Sequence, residues 1–132
     1  MLHMLDTSVC VSLIRGRAPS SRLPPSDACI ISVITAAELE VGVRRSEHPE
    51  AQRRAVATFL GCFELAALEL PTVAHYGEIR TELERMGTQI GPLDTLIAAH
   101  ARQLNATLIT GNVREFKRVR GLRMIEWKRT QD

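Results

Sequence analysis

Four acidic residues of this 132-residue chain stand where apolar segments end or where helices are predicted to begin. Asp6 follows the segment MLHML, and Glu38 lies early in the helix predicted after CIISVI. Asp94 falls in the first turn of a helix that opens with GPLD, and Glu115 lies just beyond ATLIT. Each acid alone is explained by helix capping, by the helix dipole or by surface exposure. Together they can do chemistry only if the fold brings them to one place.

A cluster of carboxylates has a definite chemical consequence. Two ionised carboxylates about 4 Å apart repel each other by roughly 4 kcal/mol at an effective dielectric of 20. Such a cluster therefore needs raised pKa values or bound cations. Oxygen ligands without His or Cys suit Mg²⁺ or Mn²⁺. These ions activate water and stabilise the leaving oxygen in phosphodiester cleavage, so clustering would indicate metal-dependent hydrolysis.

Strands and helices are predicted to alternate along the chain. Apolar or β-branched segments predict strands over residues 2–5, 28–33, 63–70, 106–110 and 122–127. Helical spacing predicts helices over 9–14, 35–45, 50–60, 71–86 and 91–105, with a short turn or helix in NVREFKRV. The alternation predicts an α/β sandwich, a mostly parallel central sheet flanked by helices, in a single domain over 1–132. In such sheets the functional crevice lies beyond the carboxyl ends of the strands.

The composition is that of an ordinary globular domain, with 45% hydrophobic and 24% charged residues. No apolar run is long enough for a transmembrane helix, and the N-terminus lacks the pattern of a secretion signal. We therefore expect a cytoplasmic protein. Three cysteines, Cys10, Cys29 and Cys62, are widely spaced. Their spacing argues against a disulfide framework or a zinc site and favours three small core residues.

Basic residues concentrate near the C-terminus. Residues 114–129 hold seven Arg or Lys and two Glu. A second group on predicted helices comprises Arg44, Arg45, Arg53 and Arg54. Either group could contact a phosphate backbone, and either could equally be a solvated face. Because the chain has five aromatic residues, a base-stacking platform is not expected and RNA would be held through its phosphates.

Four motifs carry a resemblance to a known family. They are LDTS at 5–8, the spacing of Ser32, Glu38, Leu39 and Gly42, the segment IGPLDTLIAAHA, and TGNVREFKRVRGLRMIEW. In combination and in this order they resemble the VapC toxins of the PIN-domain ribonucleases, nearly from end to end. The resemblance implies a PIN-like three-layer sandwich.

The resemblance also implies roles for individual residues. Asp6, Glu38 and Asp94 would hold Mg²⁺ or Mn²⁺, and Glu115 would be the fourth catalytic acid, where the family usually has Asp. The supporting residues around the metal, water or phosphate would be Thr110, Asn112 and Ser8, the last standing where the family commonly has Asn. RNA would meet Arg114, Lys117 and Arg118 in the basic C-terminal stretch.

The implied function is that of a toxic endoribonuclease in a type II toxin–antitoxin pair. The resemblance extends to members that cleave tRNA, notably initiator tRNA in the anticodon loop, and that thereby stop translation and growth. It implies a VapB-like antitoxin partner, a homodimer and larger toxin–antitoxin assemblies. Val56, Phe59 and Leu60 could form a docking groove for the antitoxin's helix, although burial in the chain's own core explains them more economically.

Two other interpretations stay open. One is a catalytically silent PIN-like module that binds RNA or a partner, since Ser8 and Glu115 depart from the family pattern. The other is a phospho-receiver or flavodoxin-like domain, which also places acids at strand ends. The second is disfavoured because the middle strands end in neither the phosphoacceptor Asp nor the Lys that it needs.

Overall fold

A computed structural model describes residues 1–128 of the chain, so residues 129–132 of the predicted domain lie outside the described part. Its centre is a five-stranded sheet in the order β3-β2-β1-β4-β5, and every pair of neighbouring strands is parallel. The strands are β1 His3–Leu5, β2 Cys29–Ser32, β3 Glu64–Ala66, β4 Thr107–Thr110 and β5 Met124–Glu126. The predicted α/β class with a parallel sheet is confirmed.

Six α-helices connect these strands. They are α1 Thr7–Ile14, α2 Val33–Arg45, α3 Pro49–Leu60, α4 Pro71–Met86, α5 Pro92–Gln103 and α6 Val113–Phe116. Within residues 1–128, none of these helices has both the length and the apolar character needed to span a membrane.

Strand residues alternate between two cores, one on each face of the sheet. Met4, Ile30 and Leu108 pack with side chains of α4, α5 and α6. Leu5 and Ile109, their neighbours along the same strands, pack instead with side chains of α1, α2 and α3. This period of two residues follows from the pleat of a strand. Helices therefore cover both faces, and the predicted three-layer sandwich is confirmed.

Local sequence explains where several helices begin and end. Asp6 caps α1, and Ser32 caps α2 by accepting a hydrogen bond from the amide of Ile34. Proline stands at the start of α3, α4 and α5, where its missing N–H costs no helical hydrogen bond. Asn105 follows α5 with a φ of 57°, a left-handed conformation that ends the helix as predicted.

Two expectations require correction. Cys10 and Cys29 are buried as expected, but Cys62 is exposed because it lies in the turn between α3 and β3. The predicted strand over 63–70 is reduced to three residues, β3, at the edge of the sheet. After Ala66 the chain turns into α4 at Pro71, so the apolar residues beyond 66 are not paired as a strand.

Candidate active site

The site lies at the edge of the sheet where the chain leaves the central strand β1 and its two neighbours, β2 and β4. Strand β1 lies between β2 and β4, and the chain leaves each of these strands at the same edge of the sheet. Asp6 directly follows β1, and Thr110 is the last residue of β4. A crevice outside the carboxyl ends of such strands is the usual ligand site of an open parallel sheet. We call the group formed by Asp6, Glu38, Asp94 and Glu115 the acidic crevice.

Asp6 is the most buried acid of the crevice, with 3% of its surface exposed. One carboxylate oxygen accepts hydrogen bonds from the Ser8 hydroxyl at 2.6 Å and the Val9 amide at 2.9 Å. The other oxygen accepts from the Thr110 hydroxyl. Burial raises the pKa of Asp6, and the bonds from Ser8 and Thr110 oppose that rise. These donors fix the orientation of the carboxylate.

The predicted supporting residues Ser8, Thr110 and Asn112 belong to one hydrogen-bond network around Asp6. The amide of Asn112 donates to the Thr110 hydroxyl at 2.8 Å, and the amide of Gly111 donates to the Ser8 hydroxyl at 3.2 Å. Ser8 thus bridges the two loops that enclose Asp6. A hydroxyl at position 8 is sufficient for this contact, although no amide is present there.

Glu38 is positioned by a residue that the sequence interpretation missed. The Thr7 hydroxyl donates to a carboxylate oxygen of Glu38 at 2.7 Å and lies 3.3 Å from the Thr35 hydroxyl. Thr7 is the first residue of α1 and directly follows Asp6. Its place in the LDTS motif was the available signal. Asp6 is thus one acid of the crevice, and the next residue, Thr7, donates the hydrogen bond that positions another, Glu38.

The negative charges of the other three acids affect the pKa of Asp94. It is half-buried in the first turn of α5, and its pKa is raised from 3.8 to about 6. Burial is the largest cause, followed by the negative charges of Glu38, Asp6 and Glu115. Glu115 reaches the crevice from α6. The charges of the other three acids that the sequence singled out therefore reach Asp94.

A buried histidine connects the helices that carry Asp94 and Glu38. Nδ1 of His100, on α5, lies 2.8 Å from the hydroxyl of Ser32, the residue that caps α2. His100 is fully buried, and burial lowers its pKa, which favours the neutral ring. This contact links α2 to α5.

No basic side chain of residues 1–128 is paired with the acids of the crevice: no Lys, Arg or His there forms an ion pair with any of the four. By contrast Glu40, two positions after Glu38, pairs with Arg44 at 2.7 Å and Arg53 at 2.8 Å. The prediction that Glu40 points to the surface, away from Glu38, is confirmed.

The donor set suits a hard divalent cation, with one geometric restriction. In the described part of the chain, no three Asp, Glu, His or Cys side chains are arranged to hold one ion together. Glu38 is drawn to Thr7, and Asp6 is occupied by three donors. Mg²⁺ commonly takes one or two carboxylates directly and keeps several waters. The all-oxygen set and the raised pKa of Asp94 fit an ion bound in that way.

The basic residues predicted to contact RNA lie on and after α6. Arg114, Lys117 and Arg118 are all exposed, and Arg118 donates to the carbonyl of Gln89 at 3.2 Å. Of the second basic group, Arg44 and Arg53 are engaged by Glu40.

The predicted docking groove is only partly an exposed surface. Val56 is 7% exposed and belongs to the core beneath α3. Phe59 is half-buried and lines an apolar cavity of about 620 Å³ together with Leu13, Leu23 and Phe63. The groove is therefore made by α1, the loop after it and the end of α3, and Val56 supports it from below.

Comparison with known proteins adds a family to this geometry. The PIN domain family matches residues 3–122. Ribonuclease VapC2 of Rickettsia felis is 39% identical over 132 residues, covering 96% of this chain and 98% of the relative. The tRNA(fMet)-specific endonuclease VapC of Shigella flexneri is 38% identical over 128 residues, covering 94% and 96%.

Solved structures agree with the sequence comparison. VapBC2 from Rickettsia felis, bound to a promoter DNA fragment, matches with a TM-score of 0.91 and 38% identity, covering 97% of this chain and all of the matched chain. DNA-bound VapBC from Salmonella typhimurium matches with a TM-score of 0.90 and 37% identity over the same shares.

Proposed function

The chain belongs to the PIN domain family, among the VapC ribonucleases of VapBC toxin–antitoxin systems, and from that membership we propose that it is a Mg²⁺- or Mn²⁺-dependent endoribonuclease that cleaves tRNA. One observation carries the metal dependence: burial and the charges of three neighbouring acids raise the pKa of Asp94 to about 6, while no basic side chain of residues 1–128 pairs with these acids. A bound cation relieves this repulsion.

Asp6, Glu38 and Asp94 would hold the cation, directly or through its waters, and Glu115 would serve as the fourth acid. When bound, the cation activates water and stabilises negative charge at the scissile phosphate. Ser8, Thr110 and the Val9 amide fix the orientation of the Asp6 carboxylate. Thr7 does the same for Glu38. A fixed set of ligands lowers the reorganisation needed during the reaction.

An RNase assay with a divalent-ion titration tests the mechanism. We expect cleavage by the wild-type protein with Mg²⁺ or Mn²⁺ and none with EDTA. Equal cleavage in EDTA would overturn the metal mechanism. RNA binding without cleavage at any Mg²⁺ or Mn²⁺ concentration would instead support the catalytically silent module.

The proposed substrate is tRNA, with the anticodon loop of initiator tRNA favoured. It is supported by the tRNA(fMet)-specific endonuclease among the relatives, at 38% identity. Such cleavage would take place in the cytoplasm and would stop translation and growth. Sequencing the cut ends of total RNA after expression tests it. Cuts confined to mRNA or rRNA would refute this substrate while leaving the nuclease activity intact.

The proposed antitoxin is VapB-like and places an apolar helix in the groove at Phe59 and Phe63, where aromatic side chains line the cavity. Its basic side chain would neutralise the acidic crevice. Phe59→Ser should weaken co-purification with a co-expressed VapB-like antitoxin and leave RNA cleavage unchanged. Unchanged co-purification would place the antitoxin elsewhere.

We also propose a homodimer, which joins the antitoxin in larger assemblies. Exposed apolar residues support it where β3 leads into α4: Leu65, Leu68, Leu70 and Val73 are each at least 38% exposed. Light scattering on the wild type and on Leu70→Glu tests the proposal. A wild-type monomer at micromolar concentration would refute it.

A further inference from the structure

A groove between α1 and α2 begins beside the acidic crevice. Its volume is about 380 Å³, within the range of small-ligand sites. Its walls include Thr7 and Glu38, the hydrogen-bonded pair of the crevice. Val11, Ile14 and Leu39 contribute apolar surface, and the polar lining consists of Arg15, Arg45, Ser46 and Gln52. We call this space the α1–α2 groove.

Its two arginines are free to bind an anion. Arg15 directly follows α1, and Arg45 is the last residue of α2. Both are exposed, and neither forms an ion pair with a described residue. Their neighbour Arg44 differs, because Glu40 holds it. A guanidinium offers paired donors that match phosphate oxygens.

The groove and the basic residues of α6 lie on opposite sides of Asp6. Strand β2 leads into α2 on one side of β1, and β4 leads into α6 on the other side. An RNA strand whose scissile phosphate lies at Asp6 and Asp94 can therefore pass Arg114 and Lys117 on one flank. On the other flank it meets the α1–α2 groove.

We propose that Arg15 and Arg45 bind a backbone phosphate of the RNA next to the scissile one, in the α1–α2 groove. The proposal rests on the proposed ribonuclease function and names a contact surface for its substrate. The charged residues that line the groove are Arg15, Arg45 and Glu38, and Glu38 also belongs to the cleavage site. Because the two arginines outweigh the single acid, the groove has a net positive charge. Phosphate binding there would hold the strand in register with the acids, without reading its sequence.

The test compares two double variants that remove the same charge. R15Q/R45Q removes the proposed contacts, and R54Q/R85Q is the matched control. Arg54 and Arg85 are exposed and form no ion pair with residues 1–128, and Arg85, like Arg45, lies in the last turn of its helix. Both double variants are made in the Asp94→Asn background, where tRNA binding is measured, and in the wild-type background, where tRNA cleavage is measured. The probe is end-labelled total tRNA.

We expect R15Q/R45Q to weaken tRNA binding by about tenfold and to lower the slope of log Kd against log salt by about 0.7, since one phosphate contact on a single strand contributes about that amount. The control should change both by much less. Equal effects of the two double variants would overturn the proposal and indicate general charge attraction.

Two further outcomes are informative. If R15Q/R45Q binds and cuts tRNA like the control but loses the antitoxin, the groove takes an acidic protein segment and the RNA assignment is wrong. If wild-type protein binds tRNA with the expected difference between variants yet cuts no RNA with Mg²⁺ or Mn²⁺, the contact surface stands and the proposed ribonuclease activity fails. Urea unfolding of each variant verifies that the fold is retained.

Discussion

Two acids of α2, two positions apart, have opposite electrostatic surroundings. Glu40 lies between Arg44 and Arg53, and hydrogen bonds from these arginines lower its pKa to about 2. Glu38 faces the other way and adds its charge to the crevice, where the pKa of Asp94 rises to about 6. At the surface, the fold places arginine side chains beside the acid Glu40. In the crevice it supplies hydroxyl and amide donors that orient carboxylates and leave their charge available.

The most severe test of this contrast is Asp94→Asn. We expect RNA cleavage to fall by about 10³-fold or more, as for the loss of a group that stabilises transition-state charge. The free energy of unfolding should stay the same or rise by about 1 kcal/mol, because relief of repulsion offsets the lost helix-dipole contact. Single-turnover cleavage and urea unfolding measure the two effects. A parallel loss of stability and activity would mean that Asp94 is structural.

Glu115 tests how far the crevice extends. Glu115→Gln should reduce cleavage by roughly 10- to 100-fold, the usual cost of removing a group that supports metal ligands. Glu115→Asp should keep more of the activity, because it retains the charge with a shorter reach. Cleavage rates of the two variants, measured over a range of Mg²⁺ concentrations, test these two expectations. Full activity of Glu115→Gln would leave a crevice of three working acids.

The pH dependence of stability tests the repulsion itself. Because the folded-state pKa of Asp94 is raised from 3.8 to about 6, the folded form holds its proton more tightly than the unfolded form. Stability from this group is therefore present below about pH 4 and is lost as the pH rises through about 6.

The loss should amount to about 1–2 kcal/mol, after allowance for solvent around this half-buried side chain. Urea unfolding of metal-free wild type and Asp94→Asn at several pH values measures the difference between them, which should grow over that window. Adding Mg²⁺ should reduce it. A difference that does not vary with pH would contradict the raised pKa.

The smallest effect is expected at Glu40. Glu40→Gln should leave the cleavage rate unchanged and hardly alter the urea midpoint, because exposed ion pairs contribute little to stability. It also serves as the control for Glu38→Gln on the same helix. If Glu40→Gln impaired cleavage as much as Glu38→Gln, the contrast between the two sides of α2 would not hold.

The sequence predicted the layers of the fold and the acids because both follow from local patterns. Strand alternation placed Asp6 at a strand end, and the GPLD helix start placed Asp94 in a first turn. Parallel topology then required these ends to meet. The position of Glu115 just beyond ATLIT placed it at the same edge, and the family resemblance gave it the role of fourth acid; its charge does reach Asp94.

What could not be predicted depends on the packing of one helix against another. The bond from Thr7 to Glu38 spans 31 positions, and that from His100 to Ser32 spans 68. No local pattern specifies such pairs. In the same way, the four arginines of the second basic group looked alike in the sequence. The structure separates them, because Glu40 occupies Arg44 and Arg53 and leaves Arg45 on the groove.

The bond between Thr110 and Asp6 joins residues 104 positions apart, and this has a consequence during synthesis. Strand β1 is central to the sheet, and its partner β4 is synthesised well after it. A nascent chain that has not yet reached residue 110 lacks the donor that orients Asp6. We therefore expect the acidic crevice to be completed only after residue 110 has been synthesised.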